Sequence, residues 1–319
     1  DYRKLNSITV PDVYPLPAID QMLYNMNNAK IFSTMDLQTA YNQILVEPED
    51  QPKTAFVHRT GLYQYRRMPF GLRNAPATFQ RFMNMMFATS DENMWIYVMV
   101  YLDDVIIFSI TIDEHAHHLV KVLAILSLHG LKLKLSKCEF ARTQVKYLGH
   151  VLDPTVNNVA PNTEEGVQSM PAPTKIVELQ SFLGMVGYYR RFIQGFAKIA
   201  QPLTQLLRKE TKWEWTEACN TAFNTFKQKL TTAPILAMPD YTIPFIVQTD
   251  ASVCGIGAVL SQKHPTPPQE RPISFISRTL KKHEKNYSIT HLELLAVILA
   301  LKKFRHYILG TKFSIQTDH

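Results

Sequence analysis

The run Trp95-Ile-Tyr-Val-Met-Val-Tyr-Leu-Asp-Asp-Val-Ile-Ile-Phe-Ser109 sets two apolar, β-branched and aromatic segments on either side of adjacent carboxylates. It predicts a hairpin of buried strands with Asp103 and Asp104 at the turn. Aspartate tolerates tight backbone, so a solvated hairpin tip is one reading. The other is chemical: the turn presents oxygen ligands to hard divalent ions, which commonly bridge phosphates. Asp36 is a candidate third carboxylate. It ends a strand-like run, Ala29-Lys-Ile-Phe-Ser-Thr-Met-Asp36, ahead of a helix-permissive segment, Gln38-Thr-Ala-Tyr-Asn-Gln-Ile44. In isolation it would also suit a helix N-cap.

Nine segments spread along the chain extend the pattern. They are Asp1-Tyr-Arg-Lys-Leu-Asn6, Tyr14-Pro-Leu-Pro-Ala-Ile-Asp20, Met68-Pro-Phe-Gly-Leu-Arg-Asn-Ala-Pro-Ala-Thr-Phe-Gln80, Tyr101-Leu-Asp-Asp104, Tyr147-Leu-Gly-His150, Phe182-Leu-Gly184, Tyr188-Tyr-Arg-Arg-Phe-Ile193, Thr249-Asp-Ala-Ser252 and Thr317-Asp-His319. In this order they resemble the reverse transcriptase and ribonuclease H region of a gypsy-type LTR retrotransposon Pol polyprotein. The resemblance implies an α+β and α/β multidomain fold: a right-hand polymerase with fingers, palm and thumb, then a ribonuclease H-like domain. Residues 1–152 would be fingers and palm, with the fingers truncated at the N-terminus. Residues 153–174 would be a linker, 175–240 a thumb-like helical region, and 241–319 a ribonuclease H-like domain incomplete at its C-terminus.

The same resemblance assigns roles. Asp36 and Asp103 would be the principal ligands of paired Mg²⁺ ions, with Mn²⁺ as an alternative, and Asp104 would support them. Leu37, Tyr41, Phe70 and Gly71 would lie at the incoming deoxynucleoside triphosphate. Tyr41 looks like the aromatic gate that collides with a ribose 2′-hydroxyl; a core tyrosine of an amphipathic helix is the plain alternative. Many retroviral enzymes carry Gln where Phe70 stands, so detailed nucleotide contacts do not transfer. Gln80, Tyr101, Leu148, Gly149, Arg190 and Arg191 would meet nucleic acid, the Val145–Leu152 hairpin resembling a primer grip. Asp250, Glu293 and Asp318 match ribonuclease H acids, although Thr290-His-Leu-Glu293 also has capping-box spacing. The family's basic residues before the position of Asp1, and its fourth nuclease carboxylate, are not in this sequence. The expectation is intact polymerase chemistry and an inactive nuclease.

Composition agrees with a globular chain. Its 319 residues are 46% hydrophobic and 19% charged, enough for two or three cores. The net charge of +7 is uneven: Lys and Arg number 15 against 14 Asp and Glu over residues 1–152, but 19 against 10 after residue 170. Phosphate neutralisation by that excess would make duplex binding salt-sensitive. Cys138, Cys219 and Cys254 are widely separated, which indicates neither a zinc knuckle nor a disulfide framework and fits a reducing, intracellular setting. No membrane span or signal peptide is visible. The resemblance suggests a cytoplasmic virus-like particle, with the nucleus as an alternative, and neighbouring protease and integrase domains. Oligomeric state has no signature.

Along the chain, Ile19, Met22, Leu23 and Met26 have helical spacing, as do Phe79, Phe82, Met83, Met86 and Phe87 after Pro76. His115 and His118 share a helix face and read as solvated residues rather than zinc ligands. Residues 153–174 hold four prolines and no Lys or Arg. Ile176, Leu179, Leu183 and Val186 predict another helix, and the aromatics and arginines after it suit a nucleic-acid backbone. Beyond Phe245 the order reads strand, strand, strand, helix, strand, with a Pro-rich loop at 264–272. Template-primer of RNA and DNA would be the partner. Two rivals remain: a degenerate or domesticated fragment that binds nucleic acid without catalysis, and a DNA-templated polymerase.

Overall fold

The computed structural model describes residues 1–319 except 18, 27–28, 91–93, 154–157, 162–166, 168, 209–210, 232–235, 254, 266–267 and 318–319. The chain forms two compact units, residues 1–148 with 153–155, and residues 149–152 with 156–319.

The first unit begins with short helices α1 (Arg3–Ile8) and α2 (Ile19–Asn25), followed by β1 (Ile31–Asp36), a lone hairpin of β2 (Phe56–His58) and β3 (Gly61–Tyr63), and α3 (Ala75–Ser90). Next come β4 (Val98–Tyr101), β5 (Asp104–Ser109), α4 (Ile112–Leu128), β6 (Glu139–Arg142) and β7 (Val145–Tyr147). The order β4-β5-β1-β6 makes an antiparallel sheet. Phe79, Met83, Met86 and Phe87 of α3 share a core with Val122 and Leu126 of α4 and with Met35, Val98, Val100, Val105 and Ile107 of the sheet. Side chains alternate along a strand, so Asp36 and Asp104 lie on the opposite face from this core. The apolar runs around Asp103 are continuous because both faces of the hairpin are covered.

The segment after Asp36 is a 3-10 turn, Ala40–Gln43, entered through left-handed Thr39, and not an α-helix. Helix α4 starts on a Thr111–Glu114 capping box, but His115 on it is fully buried rather than solvated. Its Nε2 meets Ser33 Oγ at 2.7 Å and its Nδ1 meets Ser109 Oγ at 2.9 Å, joining helix to sheet. His118 stacks on Tyr97 with ring centroids 3.7 Å apart.

The second unit holds β8 (His150–Asp153), β9 (Asn158–Pro161), helices α5 (Ile176–Tyr188), α6 (Phe196–Gln205) and α7 (Glu217–Thr231), and β10 (Leu236–Ala237). It continues with β11 (Phe245–Ser252), β12 (Gly255–Pro265), β13 (Pro268–Thr279), α8 (Ile289–Ile308) and β14 (Phe313–Gln316). The sheet order is β13-β12-β11-β14, with β14 parallel to β11. A parallel return needs a crossover, and α8 supplies it. Ala300, Phe304 and Tyr307 of α8 bury against Phe245, Val247, Leu260 and Ile273. Two linker expectations change here: β9 lies inside 153–174 and pairs with β10, and β12 and β13 stay paired out to Pro265 and Pro268, so most of the expected 264–272 loop is strand. Among the described residues no helix is long and apolar enough to cross a membrane.

Candidate active site

Antiparallel register puts Asp36 directly opposite Asp104 on adjacent strands. Asp103 follows Leu102 in the two-residue turn between β4 and β5, and Tyr101 closes that turn as the partner of Asp104. Tight hairpin turns require positive φ, which a leucine adopts at a cost, and Leu102 has φ 54°. Gln80 holds it there. Fully buried on α3, its Oε1 accepts the Leu102 N–H at 2.8 Å and its Nε2 donates to the Val100 carbonyl at 3.1 Å. The Leu37 N–H donates to the Asp103 carbonyl at 3.3 Å while the Leu37 side chain sits in the core. Tyr147 donates its hydroxyl to the Asp104 carbonyl at 3.4 Å.

Charge is concentrated at this corner. Burial, then the charges of Asp103 and Asp36, push the Asp104 carboxyl up to about 6. Lys137, at the end of a 3-10 turn Leu135–Lys137, places Nζ 3.0 Å from Asp36 Oδ2. Its ammonium is held above the usual lysine range by Asp36 first, with Asp103 and Asp104 adding to it. The Tyr41 hydroxyl is raised by burial and by the Asp103 charge, which sets the tyrosine beside the carboxylates. Tyr41 packs against Phe70 and Phe79, with ring centroids 5.1 and 5.7 Å apart. Phe70 is exposed and Gly71 has φ 90°. Asn6 fixes this loop: its side chain donates to the Gly71 carbonyl at 2.8 Å and accepts the Arg73 N–H at 2.8 Å.

Leu148 (φ 46°), the last residue of the first unit's 1–148 stretch, and Gly149 (φ 73°) are left-handed residues ahead of β8. A Cβ on Gly149 would come within 2.9 Å of the Tyr189 hydroxyl, which donates to the Gly149 carbonyl at 3.2 Å. Arg190 donates to the Ser277 carbonyl at 2.8 Å, and Arg191 donates to the Ile273 carbonyl at 3.3 Å. These bonds tie both arginines to β13. Strand alternation groups Asp250 with Gln248, lining a cavity of about 210 Å³ with Gln194, Lys198 and Arg278. Glu293 comes from α8, which packs on the other face. It is buried and meets the Thr317 hydroxyl at 3.4 Å, while Ser288 caps the helix, so the capping role is excluded for Glu293. Asp318 lies outside the described residues.

Residues 1–152 match the family described as reverse transcriptase (RNA-dependent DNA polymerase), and residues 215–315 match the RNase H-like domain found in reverse transcriptase. The chain belongs to the reverse transcriptase family. It is 45% identical, over its whole length, to the retrovirus-related Pol polyprotein from transposon 297 of Drosophila melanogaster, of which it spans 29%. It is 39% identical to the corresponding polyprotein from transposon gypsy of the same organism, again over its whole length, and spans 31% of it. A foamy viral protease-reverse transcriptase in complex with double-stranded DNA superposes with TM-score 0.85 at 25% identity, covering all of this chain and 55% of that one. The right-hand polymerase and RNase H-like fold therefore stands.

Reverse transcriptases as a family depend on divalent metal. The donor set here fits that chemistry, because three hard carboxylates share one corner, where burial first and the neighbouring carboxylates second push the Asp104 carboxyl up to about 6. The described residues hold no group of three or more His, Cys, Asp or Glu already at the spacing of a closed metal site, and Lys137 supplies the neighbouring positive charge. The sequence pointed to Asp36, Asp103 and Asp104, which the structure brings to one corner, but not to Lys137 or Asn6, and it suggested a template contact for Gln80, which lies buried beneath the turn. Lys137 had a weak signal as the last lysine of Lys132-Leu-Lys-Leu-Ser-Lys137.

Proposed function

We propose that this chain copies RNA, and DNA, into DNA from a primer 3′-hydroxyl, using deoxynucleoside triphosphates. The observation that carries the reading is the register pairing of Asp36 with Asp104 beside Asp103, inside the residues that match the reverse transcriptase family. Asp36 and Asp103 are the principal ligands and Asp104 the supporting one. When bound, a Mg²⁺ pair supplies charge stabilisation to the attacking and leaving oxygens of an in-line displacement.

The chain's own residues do the rest. Asp36 and Asp103 orient the reacting groups, Gln80 locks the turn that carries Asp103, and Tyr41, backed by Phe79, presents a ring where a ribose 2′-hydroxyl would collide. Phe70 and Gly71, fixed by Asn6, flank the nucleotide. Residues 1–152 act as fingers and palm, 175–240 as thumb, and 241–319 as the ribonuclease H-like domain. Within the full polyprotein that domain degrades RNA in hybrids through Asp250, Glu293 and Asp318. Foamy viral enzymes of this fold have been seen with double-stranded DNA and with an RNA/DNA hybrid, which supports duplex nucleic acid as partner.

Primer extension on an RNA template with Mg²⁺ tests the proposal. Extension by the chain and its loss in Asp103→Asn support it. Duplex binding without extension by either protein would favour a non-catalytic binder.

A further inference from the structure

The β2–β3 hairpin stands apart from the four-stranded sheets as a two-stranded ribbon whose strand residues are all exposed. Cross-strand pairing puts Phe56 against Tyr63, and alternation adds His58 and Tyr65 to the same face. The four rings form a ladder. His58 lies 6.1 Å from Tyr63, Tyr63 lies 6.0 Å from Phe56, and Phe56 lies 5.3 Å from Tyr65. The hydroxyl of Thr60 bonds the Tyr63 hydroxyl at 2.8 Å and His58 Nδ1 at 2.9 Å, and the Tyr65 N–H is held by Thr54 at 2.9 Å. These contacts order the rings without covering them. No catalytic role in the reaction proposed above uses them.

The surrounding charge is of one sign. From Gln51 to Ser90 the chain has six Lys or Arg and no Asp or Glu. Lys53 pairs with Asp50 and Arg81 with Asp12, whereas Arg59 at the hairpin tip and Arg66 at its base are exposed and form no ion pair among the described residues. Exposed rings interleaved with unpaired guanidinium groups are the chemistry of single-strand recognition, where bases stack on aromatic faces and phosphates meet arginine.

We propose that the β2–β3 hairpin binds single-stranded nucleic acid, with bases on the ladder of His58, Tyr63, Phe56 and Tyr65 and phosphates at Arg59 and Arg66. The site is independent of the metal carboxylates, so its binding is measurable without synthesis. The test is fluorescence anisotropy of the intact chain with a labelled single-stranded oligonucleotide and with a blunt duplex. Phe56→Leu/Tyr63→Leu should weaken single-strand binding roughly ten-fold or more, leave the duplex within about two-fold, and preserve the melting temperature. Arg59→Gln, which removes no ring, should weaken single-strand binding and flatten its salt dependence by about one phosphate contact; it carries the test if the paired variant misfolds. Val57→Thr/Leu62→Thr, on the opposite face, should change neither. Unchanged single-strand affinity in the ring and Arg59 variants, or equal loss on the duplex, overturns the proposal. So does a shift in self-association on sedimentation with binding intact, which would make the hairpin a contact between copies.

Discussion

Asp104 in the first unit and Glu284 in the second are carboxylates held in opposite states. Arg278 grips Glu284 with two bonds of 2.6 and 2.8 Å and the Lys281 N–H adds a third at 2.7 Å, which holds the carboxyl down to about 2. Asp104 has burial and two like charges around it and is pushed up to about 6. A structural carboxylate carries its own cation. Among the described residues Asp104 has no cation of its own, since Lys137 pairs with Asp36, and the proposed divalent ion would offset the remaining negative charge. The contrast also separates the two sets of candidate acids. One strand register brings Asp36 and Asp104 together, whereas Asp250 lies on β11 and the buried Glu293 on α8.

The largest expected effect breaks that second contrast. Asp36→Asn should reduce primer extension by roughly a hundred- to thousand-fold, the scale of removing one electrostatic contact to a developing charge. Asp250→Asn should leave extension on the same template unchanged. If Asp250→Asn abolished extension, the division of labour would be wrong.

Gln80→Leu comes next. It removes two bonds from the catalytic turn and leaves Val100 and Leu102 backbone groups unpaired, at about 1–3 kcal/mol for each buried group. Chemical denaturation should show the loss, and extension should fall through kcat because Asp103 is displaced while the nucleotide pocket is intact. Gly149→Ala should destabilise by about 1–3 kcal/mol, since its φ is 73° and its Cβ would meet the Tyr189 hydroxyl.

The smallest effect sharpens the first contrast. Asp104 binds its proton more tightly in the folded state than in the unfolded chain, so it favours folding at low pH, and that contribution is lost as pH rises from about 4 through about 6. Asp104→Asn should therefore stabilise the metal-free chain at pH 7, by on the order of 2 kcal/mol, and raise its melting temperature, with no gain below about pH 4. Glu284 has the opposite sign: its contribution is present above about 4.5 and is lost as pH falls toward 2. Glu284→Gln should lower the melting temperature at pH 7, with the deficit shrinking in acid.

Much of this was legible in the sequence. The Trp95–Ser109 hairpin, the strand ending at Asp36, the apolar face of α3 and the strand order after Phe245 all rest on periodicity, which a linear chain displays directly. What was hidden depends on single long-range bonds. Gln80 meets Leu102 across 22 residues, Lys137 meets Asp36 across 101, and Asn6 meets Gly71 across 65. A lone polar side chain has no period, so its partner emerges only when tertiary structure forms. His115 misled for the same reason, because the two serines that satisfy it lie on β1 and β5. The carbonyl oxygens of β13 that receive Arg190 and Arg191 are likewise invisible in any motif.

The account stands most directly on ion binding. Titration of Mn²⁺, a hard ion with the same oxygen preference as Mg²⁺, should be followed by electron paramagnetic resonance on the intact chain and on its Asp103→Asn and Asp250→Asn variants. Loss of the tightest sites in Asp103→Asn and their retention in Asp250→Asn is the predicted result. Retention of every site in Asp103→Asn would contradict the claim that the palm carboxylates are the metal centre.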